Sequence, residues 1–406
     1  MSSEDWMLSV HCDWEKCLQT EGGAPWVLYK ERGQPSVSSK LRRTGEGGLE
    51  CDDGEKFSAE LISERLLRVS VSAPESSRTV FLLAPSASHQ VASRLTSLDV
   101  SVGGLGVSSS SGPSVSVWST ESGTVRRELG GHLAEVYTAR LFPSGLVALT
   151  AGADMSLKIW SVETGDCPVT LSGHTGPVTA TQIVGRGKNI VSVSKDGTGR
   201  LWSCGERRCL GVVVTLSEQI NCCHLAPSHN SIFHPLEAAP PTDPAEVETE
   251  DKVLAVGGEA GTVTVVQLSS RAELFTTNLA SPVNAIVLCR DGLYVGCQDG
   301  AVHLIRQAGT AVIRASTSPV LSMMRLHTER AQQTEELVVT SRQDGSVTLY
   351  LAGCRVELTG SDTDPVYDLA EDPRCVYTAC RDGRVRKYDR AVLLRIVEQQ
   401  LQLGRK

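Results

Sequence analysis

The chain has 406 residues and a formal net charge of −8. This acidic balance argues against binding to bulk nucleic acid, which needs a basic surface, and suits basic protein partners. The apolar runs are no longer than a strand, so no segment is predicted to span a membrane. The 13 cysteines are scattered without paired spacing, which predicts reduced thiols and a cytoplasmic and nuclear protein.

The first 90 residues show no internal repeat and are predicted to form a small N-terminal α+β domain (residues 1–90). Apolar and aromatic residues near its start recur at helical spacing, which favours a short amphipathic helix. The residues at this spacing are Met7, His11, Trp14 and Leu18. Segments 66–71 and 80–83 have the β-branched and apolar composition of strands.

The same region contains side chains of the types that bind zinc. They are His11, Cys12, Cys17 and Cys51. Structural zinc sites usually present cysteines as Cys-x-x-Cys pairs, and no such pair occurs among them. No metal site is therefore predicted.

A short apolar strand that ends in tryptophan occurs three times, with a period of 42 residues. The tryptophans are Trp118, Trp160 and Trp202, and a Gly-His pair precedes the second and the third, at 131–132 and 173–174. A period of about 40–45 residues with these marks is typical of the WD-repeat β-propeller. Each unit is a four-stranded blade that cannot bury both faces alone, so blades stack around a common axis.

The period continues where the tryptophans stop. Aligning on the turn before each marker gives seven units over residues 91–390, and the sequence predicts a seven-bladed propeller. The markers are Trp118, Trp160, Trp202, Val266, Ile305, Tyr350 and Tyr388. The third and fourth markers are 64 residues apart, which places an insertion in the fourth unit. This acidic, proline-rich insertion (228–251) is predicted to be an exposed loop whose composition favours disorder.

The two ends of the repeat region raise the question of how the ring closes. The last strand of the N-terminal domain is predicted to supply the outer strand of the final blade, which would remove the exposed sheet edges. The C-terminal tail (391–406) has two open interpretations. It is either that outer strand itself or a helix with one apolar side, formed by Leu393, Ile396, Val397 and Leu401.

Two groups of residues in the second and third repeats contain the residue types of a catalytic site. We predict a structural role for both groups. The first group is His132, Thr150, Asp154 and Trp160, and the second is His174, Asp196 and Trp202 with either Ser192 or Ser194. In WD repeats such a histidine hydrogen-bonds to the aspartate and to the hydroxyl, which also accepts from the indole. A buried network of this kind is tolerated because every polar group has a partner.

The other repeats keep the turn aspartates Asp299, Asp344 and Asp382 but lack the Gly-His pair and the tryptophan, so they are predicted to depend on apolar packing. Segment 185–188 resembles a phosphate loop but lacks the upstream glycine spacing and the hydroxyl residue after lysine. No nucleophile motif is found. The chain is therefore predicted not to be an enzyme and to bind no cofactor.

Acidic segments are the remaining functional signal. We predict partner binding, most strongly for the first two residues, at Asp362, Asp364, Glu371 and Asp372 in loops of the last blade. Loops at one mouth of a propeller are the usual recognition surface, although charged runs are more often a solvated rim. The insertion adds six further carboxylates, to which no role is given: Glu237, Asp243, Glu246, Glu248, Glu250 and Asp251.

Several segments of the sequence resemble the proteasomal ATPase-associated factor family of WD-repeat proteins. They are segments 103–110, 142–161, 195–212, 358–370 and 377–388. The resemblance implies a non-catalytic scaffold that binds ATPase subunits of the proteasome regulatory particle. It implies further that the protein acts as an assembly chaperone of the base and restrains association of the regulatory particle with the core. The protein alone is expected to be a monomer. The alternative is a substrate receptor or adaptor for another complex, such as a ubiquitin ligase.

Overall fold

The computed structural model describes residues 6–31, 33–44, 48–72, 77–233, 240–313, 316–326, 337–351 and 354–403. The regular structure is almost all β-strand, and the strands form a ring of seven blades with an N-terminal domain attached to one side. The seven-bladed propeller predicted from the spacing of the markers is confirmed. In the described part of the chain, no helix combines the length and apolar character needed to cross a membrane.

The N-terminal region contributes eight strands and one short helix. They are β1 (Trp6–Val10), α1 (Trp14–Gln19), β2 (Trp26–Glu31), β3 (Val37–Arg43), β4 (Leu49–Cys51), β5 (Phe57–Ser63), β6 (Leu66–Ser72), β7 (Ser77–Leu83) and β8 (Ala87–Gln90). Strands β1 to β4 form one antiparallel sheet in sequence order. Strands β5 to β7 form an antiparallel meander, and β8 leaves the region to join the ring.

The blades are numbered in chain order, and within each the first strand lies nearest the axis. Blades one to three are β9 (Leu95–Val100), β10 (Leu105–Ser110), β11 (Val115–Ser119), β12 (Val125–Leu129); β13 (Val136–Leu141), β14 (Val147–Gly152), β15 (Ser156–Ser161), β16 (Val169–Ser172); and β17 (Val178–Val184), β18 (Asn189–Ser194), β19 (Thr198–Ser203), β20 (Arg208–Thr215). Each of these blades uses four consecutive strands.

The later blades include the insertion and the closure of the ring. Blades four to six are β21 (Ile220–Pro227), β22 (Lys252–Gly258), β23 (Thr262–Gln267), β24 (Glu273–Asn278); β25 (Val283–Leu288), β26 (Leu293–Cys297), β27 (Val302–Arg306), β28 (Gly309–Ile313); and β29 (Val320–Leu326), β30 (Leu337–Arg342), β31 (Val347–Leu351), β32 (Cys354–Leu358). Blade seven is β33 (Val366–Glu371), β34 (Cys375–Cys380), β35 (Arg384–Asp389) and β8. A one-turn 3₁₀ helix, Ser228–Asn230, follows β21.

Strand β8 closes the ring, as predicted from the sequence. It pairs antiparallel with β35 from Arg384↔Gln90 to Lys387↔Ala87. The other interpretation of the C-terminal tail, as the outer strand, is wrong. The tail forms helix α2 (Arg390–Leu403), which buries Leu393, Ile396 and Val397 against blades six and seven.

The N-terminal domain extends blade six into a seven-stranded sheet, because β7 pairs in parallel with its outer strand β32. Two further contacts hold the domain in place. The Trp14 indole donates to Thr359 Oγ1 at 3.1 Å, and the Arg355 guanidinium stacks 4.1 Å from the Trp6 ring centroid. The amphipathic helix predicted from Met7 to Leu18 is wrong at its start. Met7 lies in β1, and only Trp14–Gln19 is helical.

The marker tryptophans explain why the blades stack. Trp160 packs with Val107 and Val117 of blade one, and Trp202 packs with Leu149 and Ile159 of blade two. Each indole therefore fills the interface with the preceding blade. Both side chains are about 1% exposed, so each buries a large apolar area that no single blade could cover.

A β-bulge recurs at the start of the inner strand in blades two to seven. In each case the pairing register with the second strand shifts by one residue. The bulged residues line the central channel and are Tyr137, Thr179, Asn221, Asn284, Leu321 and Tyr367. A bulge re-aims a side chain, and here it places one residue from each of these six blades in the wall of the channel.

The insertion in blade four is a loop that docks on the ring where residues 240–251 are described, so the predicted exposure is wrong for Glu246 and Thr249, which are buried, and holds for residues such as Glu248 and Glu250. Glu246 is buried and pairs with Arg271 of blade four at 2.5 Å. The Asn189 side chain of blade three bonds to the Ala245 carbonyl at 3.0 Å and to the Val247 amide at 2.6 Å. Residues 234–239, and with them Glu237, lie outside the described residues.

Changing Arg271 to alanine is expected to release this segment. The Glu246 carboxylate would lose its charged partner, and undocking lets it reach water, so the cost is limited to about 1–3 kcal/mol. Protease Glu-C should then cut after Glu246, Glu248 or Glu250 faster than in the unmodified protein. Arg42→Ala is the matched control, because Arg42 pairs with Asp52 at an exposed position of the N-terminal domain, outside this segment. Equal cleavage rates in the two variants would show that the ion pair does not hold the segment.

Candidate partner-binding site

The four residues of the first predicted group meet at one end of blade two. His132 Nδ1 lies 2.8 Å from Asp154 Oδ2, and His132 Nε2 lies 2.6 Å from Thr150 Oγ1. The Trp160 indole donates to the same hydroxyl at 2.7 Å. We call this end of the ring the top end. It consists of the loops that enter each blade and the turns between second and third strands.

The second group has the same arrangement in blade three. His174 Nδ1 lies 2.8 Å from Asp196 Oδ2, and its Nε2 lies 2.7 Å from Ser192 Oγ. The Trp202 indole donates to Ser192 Oγ at 2.8 Å. Of the two serines left open by the sequence, Ser192 is therefore the one in the tetrad. Ser194 donates instead to the Gly176 carbonyl at 2.9 Å.

Electrostatics favour a structural role for both tetrads. Burial lowers the pKa of His132 and His174, against the opposing effect of the aspartates, so both rings stay neutral at neutral pH. Burial opposes ionisation of Asp196, but hydrogen bonds from Thr198, Thr175 and His174 prevail and hold its pKa well below the usual range. Both ring nitrogens of each histidine are occupied within the tetrad, and neither side chain is exposed. Neither tetrad histidine is therefore accessible to a substrate as a base.

The protein is expected to lose stability as pH falls below about 6.5, the usual pKa of histidine. Below that pH these two histidines bind protons in the unfolded chain, whereas buried His132 and His174 stay neutral in the folded chain. This difference favours unfolding by up to about 1.4 kcal/mol per histidine at pH 5.5. Urea midpoints at pH 7.5 and 5.5 measure the effect. His174→Gln should reduce the difference, whereas His229→Gln, at an exposed position, should leave it unchanged. Identical pH dependence in both variants would contradict a neutral buried His174.

The blades without tetrads pack through apolar clusters, as predicted, and two of them add a polar network that the sequence did not predict. In blade six, Arg342 is fully buried and donates to the carbonyls of Gly300 and Ser318 and to the Tyr350 hydroxyl, at 2.9–3.0 Å. In blade seven, the Arg386 guanidinium pairs with Asp382. The Tyr388 hydroxyl donates to the Thr359 carbonyl at 2.7 Å. Tyrosine therefore occupies the tryptophan position in both blades.

The central channel forms a polar cavity of about 730 Å³. An ion pair that the sequence reasoning missed lies in its wall, where Arg140 Nη1 is 2.8 Å from Asp368 Oδ2. Asp368 also accepts from Ser97 Oγ and the Leu98 amide at 3.0 Å, and from Ser322 Oγ at 3.2 Å. These contacts join blades one, two, six and seven beside the closure, which is a structural use. The available signal was a carboxylate between Tyr367 and Leu369, in the interior of inner strand β33.

The acidic residues Asp362 and Asp364 lie at the top end, in the loop that enters blade seven. Asp362 is exposed and adopts a left-handed backbone conformation with φ of +53°, which aspartate tolerates better than most residues. Asp364 is half-buried and pairs with Arg381 at 2.7 Å. A partner would therefore meet the Asp362 carboxylate directly and would compete with Arg381 for Asp364.

Glu371 and Asp372 do not join them, so the four predicted residues do not form one surface. These two lie at the turn between β33 and β34, at the opposite or bottom end of the ring. Strand β33 separates the pairs, and its six residues span about 20 Å. Asp372 is also occupied, since it accepts from the Arg374 and Cys375 amides and from the Tyr377 hydroxyl, at 2.7–2.8 Å. Glu371 pairs with Arg390 of α2 at 3.3 Å.

Several carboxylates of the insertion also have structural partners. Glu246 pairs with Arg271, Asp243 with Arg208, and Asp251 with Lys252. Glu248 accepts from the Arg186 amide at 2.8 Å. Across the described residues, no cluster of three or more His, Cys, Asp or Glu side chains has the arrangement of a metal site.

The ring of four-stranded blades, with its two tetrads, defines a WD-repeat β-propeller protein. The family model for the WD domain, G-beta repeat, matches residues 123–161 and 165–203. Proteasomal ATPase-associated factor 1 of Homo sapiens is 39% identical over 94% of this chain and 98% of the relative. The protein of that name from Gallus gallus is 37% identical over the same shares. The chain belongs to the proteasomal ATPase-associated factor 1 family.

Proposed function

We propose that the chain is a non-catalytic scaffold that binds ATPase subunits of the proteasome regulatory particle. In that role it would assist assembly of the base and restrain association of the regulatory particle with the core. The observation that carries the proposal is the identity of 37–39% to relatives named proteasomal ATPase-associated factor 1, over 98% of their length. Identity at this level over nearly the whole chain makes a shared partner the simplest expectation.

The surface chemistry supports a basic partner. Blades four to seven each present an exposed carboxylate at the top end. They are Glu259, Asp299, Asp344 and Asp362. The chain as a whole carries a net charge of −8, which favours encounter with a basic surface. The Arg342 network joins blades five and six, and the channel ion pair joins blades six and seven to the start of the ring, so little ordering cost is expected on binding.

Isothermal titration of the purified chain against each proteasomal ATPase subunit in turn tests the proposal. We expect one subunit to bind, and its affinity to fall between 50 and 300 mM salt because exposed charges are screened within about 10 Å. An unrelated hexameric ATPase is the control. Absence of binding to every subunit would refute the proposal. Recovery of cullin-adaptor proteins from cells in place of ATPase subunits would favour the ubiquitin-ligase alternative.

A further inference from the structure

The turn between the second and third strands has an unusual residue in blade two. In five other blades the equivalent position is a glycine with φ between +78° and +97°. These glycines are Gly197, Gly261, Gly300, Gly345 and Gly383. In blade two the position is Met155, which adopts the same left-handed conformation with φ of +59°.

This conformation is unfavourable for methionine. The left-handed region brings Cβ close to the backbone, and residues other than glycine, asparagine and aspartate occupy it at a cost. Met155 is 41% exposed, so a substantial part of its side chain stays accessible to a partner. Backbone strain that the fold does not need is a signal of function when a second observation supports it.

The second observation is the exposure of Leu133, which amounts to 91%. Leu133 directly follows the tetrad histidine, and its amide donates to Asp154 Oδ2 at 3.1 Å. Asp154 is also the residue before Met155, so both apolar side chains stand at the top of blade two. In blade three the equivalent residues are Thr175 and Gly197, and the Thr175 amide makes the same bond to Asp196 at 3.0 Å. The fold therefore forms this loop pair without either apolar side chain.

We propose that Leu133 and Met155 form an apolar anchor point at the top end of the ring. It takes one large apolar side chain from a basic segment of a proteasomal ATPase subunit, and so it rests on the function proposed above. Exposed apolar side chains that cluster on one face mark binding surfaces, and an apolar anchor commonly contributes a large share of the binding energy. Methionine suits such a site because its flexible side chain adapts to the partner.

Charge identifies the occupant as a basic segment rather than a second copy of this chain. The anchor point shares the top end with the four exposed carboxylates of blades four to seven, and half-buried Glu135 lies two residues after Leu133. Two copies that met through their top ends would bring these carboxylates together, which is unfavourable. A segment with basic residues beside an apolar one would complement the charge of the carboxylates and place its apolar side chain on the anchor point.

The test replaces the blade-two residues with those of blade three, as the double variant Leu133→Thr with Met155→Gly. We expect its affinity for the ATPase subunit bound by the unmodified chain to fall about tenfold. Its melting temperature should be unchanged or higher, because glycine relieves the strain at position 155. The matched control is Leu146→Thr with Val102→Ala. These exposed apolar residues, 61% and 78% exposed, lie at the bottom end, and their loss should leave affinity unchanged.

The outcomes separate this inference from the proposed function. Binding of the double variant with unchanged affinity would overturn the anchor point and leave the function standing. Failure of the unmodified chain to bind any ATPase subunit would overturn both. Equal weakening by the control variant would assign the effect to general apolar contact, which contradicts a site at blade two. Size-exclusion chromatography tests for the second copy, since a dimer dispersed by the double variant would also contradict the basic occupant.

Discussion

Replacing Arg342 with alanine is expected to lower the free energy of unfolding by about 3–5 kcal/mol. The change removes a large, fully buried side chain, and deletions of that size typically cost this much. It also leaves the carbonyls of Gly300 and Ser318 without the donor they have now, at about 1–3 kcal/mol for a buried polar group. The Gly300 contact crosses to blade five, so the loss weakens the interface between two blades.

Two further variants separate the contributions to this loss. Arg342→Met keeps most of the side-chain volume and removes the buried charge. Because no charge then has to be kept out of water, part of the stability lost with the hydrogen bonds is recovered. We expect it to be destabilised less than the alanine variant. Arg381→Ala, at an exposed surface pair in blade seven, should show no measurable change in the urea midpoint. A midpoint of Arg342→Ala equal to that of Arg381→Ala would show that the buried network contributes nothing to stability.

The sequence predicted the tetrads but not the Arg342 network, and the reason is physical. A tetrad is built from four residue types at fixed spacing within one repeat, so His174, Asp196 and Trp202 can be recognised without a structure. The Arg342 network depends instead on carbonyls from two neighbouring loops, and any residue type provides a carbonyl. Which carbonyls a long side chain reaches is decided by how the blades pack, and that arrangement is not a local property of sequence.

The insertion shows the same limit. Proline and acidic content favoured disorder, yet Glu246 is buried because Arg271 lies 25 residues later in the chain at a partner position. Composition describes the average of a segment, whereas one buried ion pair and two bonds to Asn189 are enough to dock it. The acidic residues of blade seven were a different case. Strand geometry alone separates Asp362 from Glu371, because a strand places its two ends at opposite ends of the ring.

The predicted partner-binding role of Asp362 and Asp364 leads to a large expected effect on binding. Asp362→Lys with Asp364→Lys should weaken binding to the ATPase subunit by more than tenfold, because like charges opposed at an interface cost several kcal/mol. Most of the effect should come from Asp362, which is exposed, since Asp364 already pairs with Arg381. Titration of the two single variants and the double variant measures the division.

The control must carry the same change in net charge at the other end of the ring. Glu163→Lys with Asp166→Lys meets this condition, because both residues are exposed in the turn between the third and fourth strands of blade two. If the partner binds at the top end, the control variant should weaken binding only through long-range electrostatic repulsion. At 150 mM salt this repulsion is screened within about 8 Å. Equal weakening by both double variants would mean that net charge, and not the loop entering blade seven, determines affinity. Unchanged affinity for the Asp362 and Asp364 variant would move the site away from this loop, and the next surface to test is the N-terminal domain around Trp26, which is exposed, whereas Trp14 is buried.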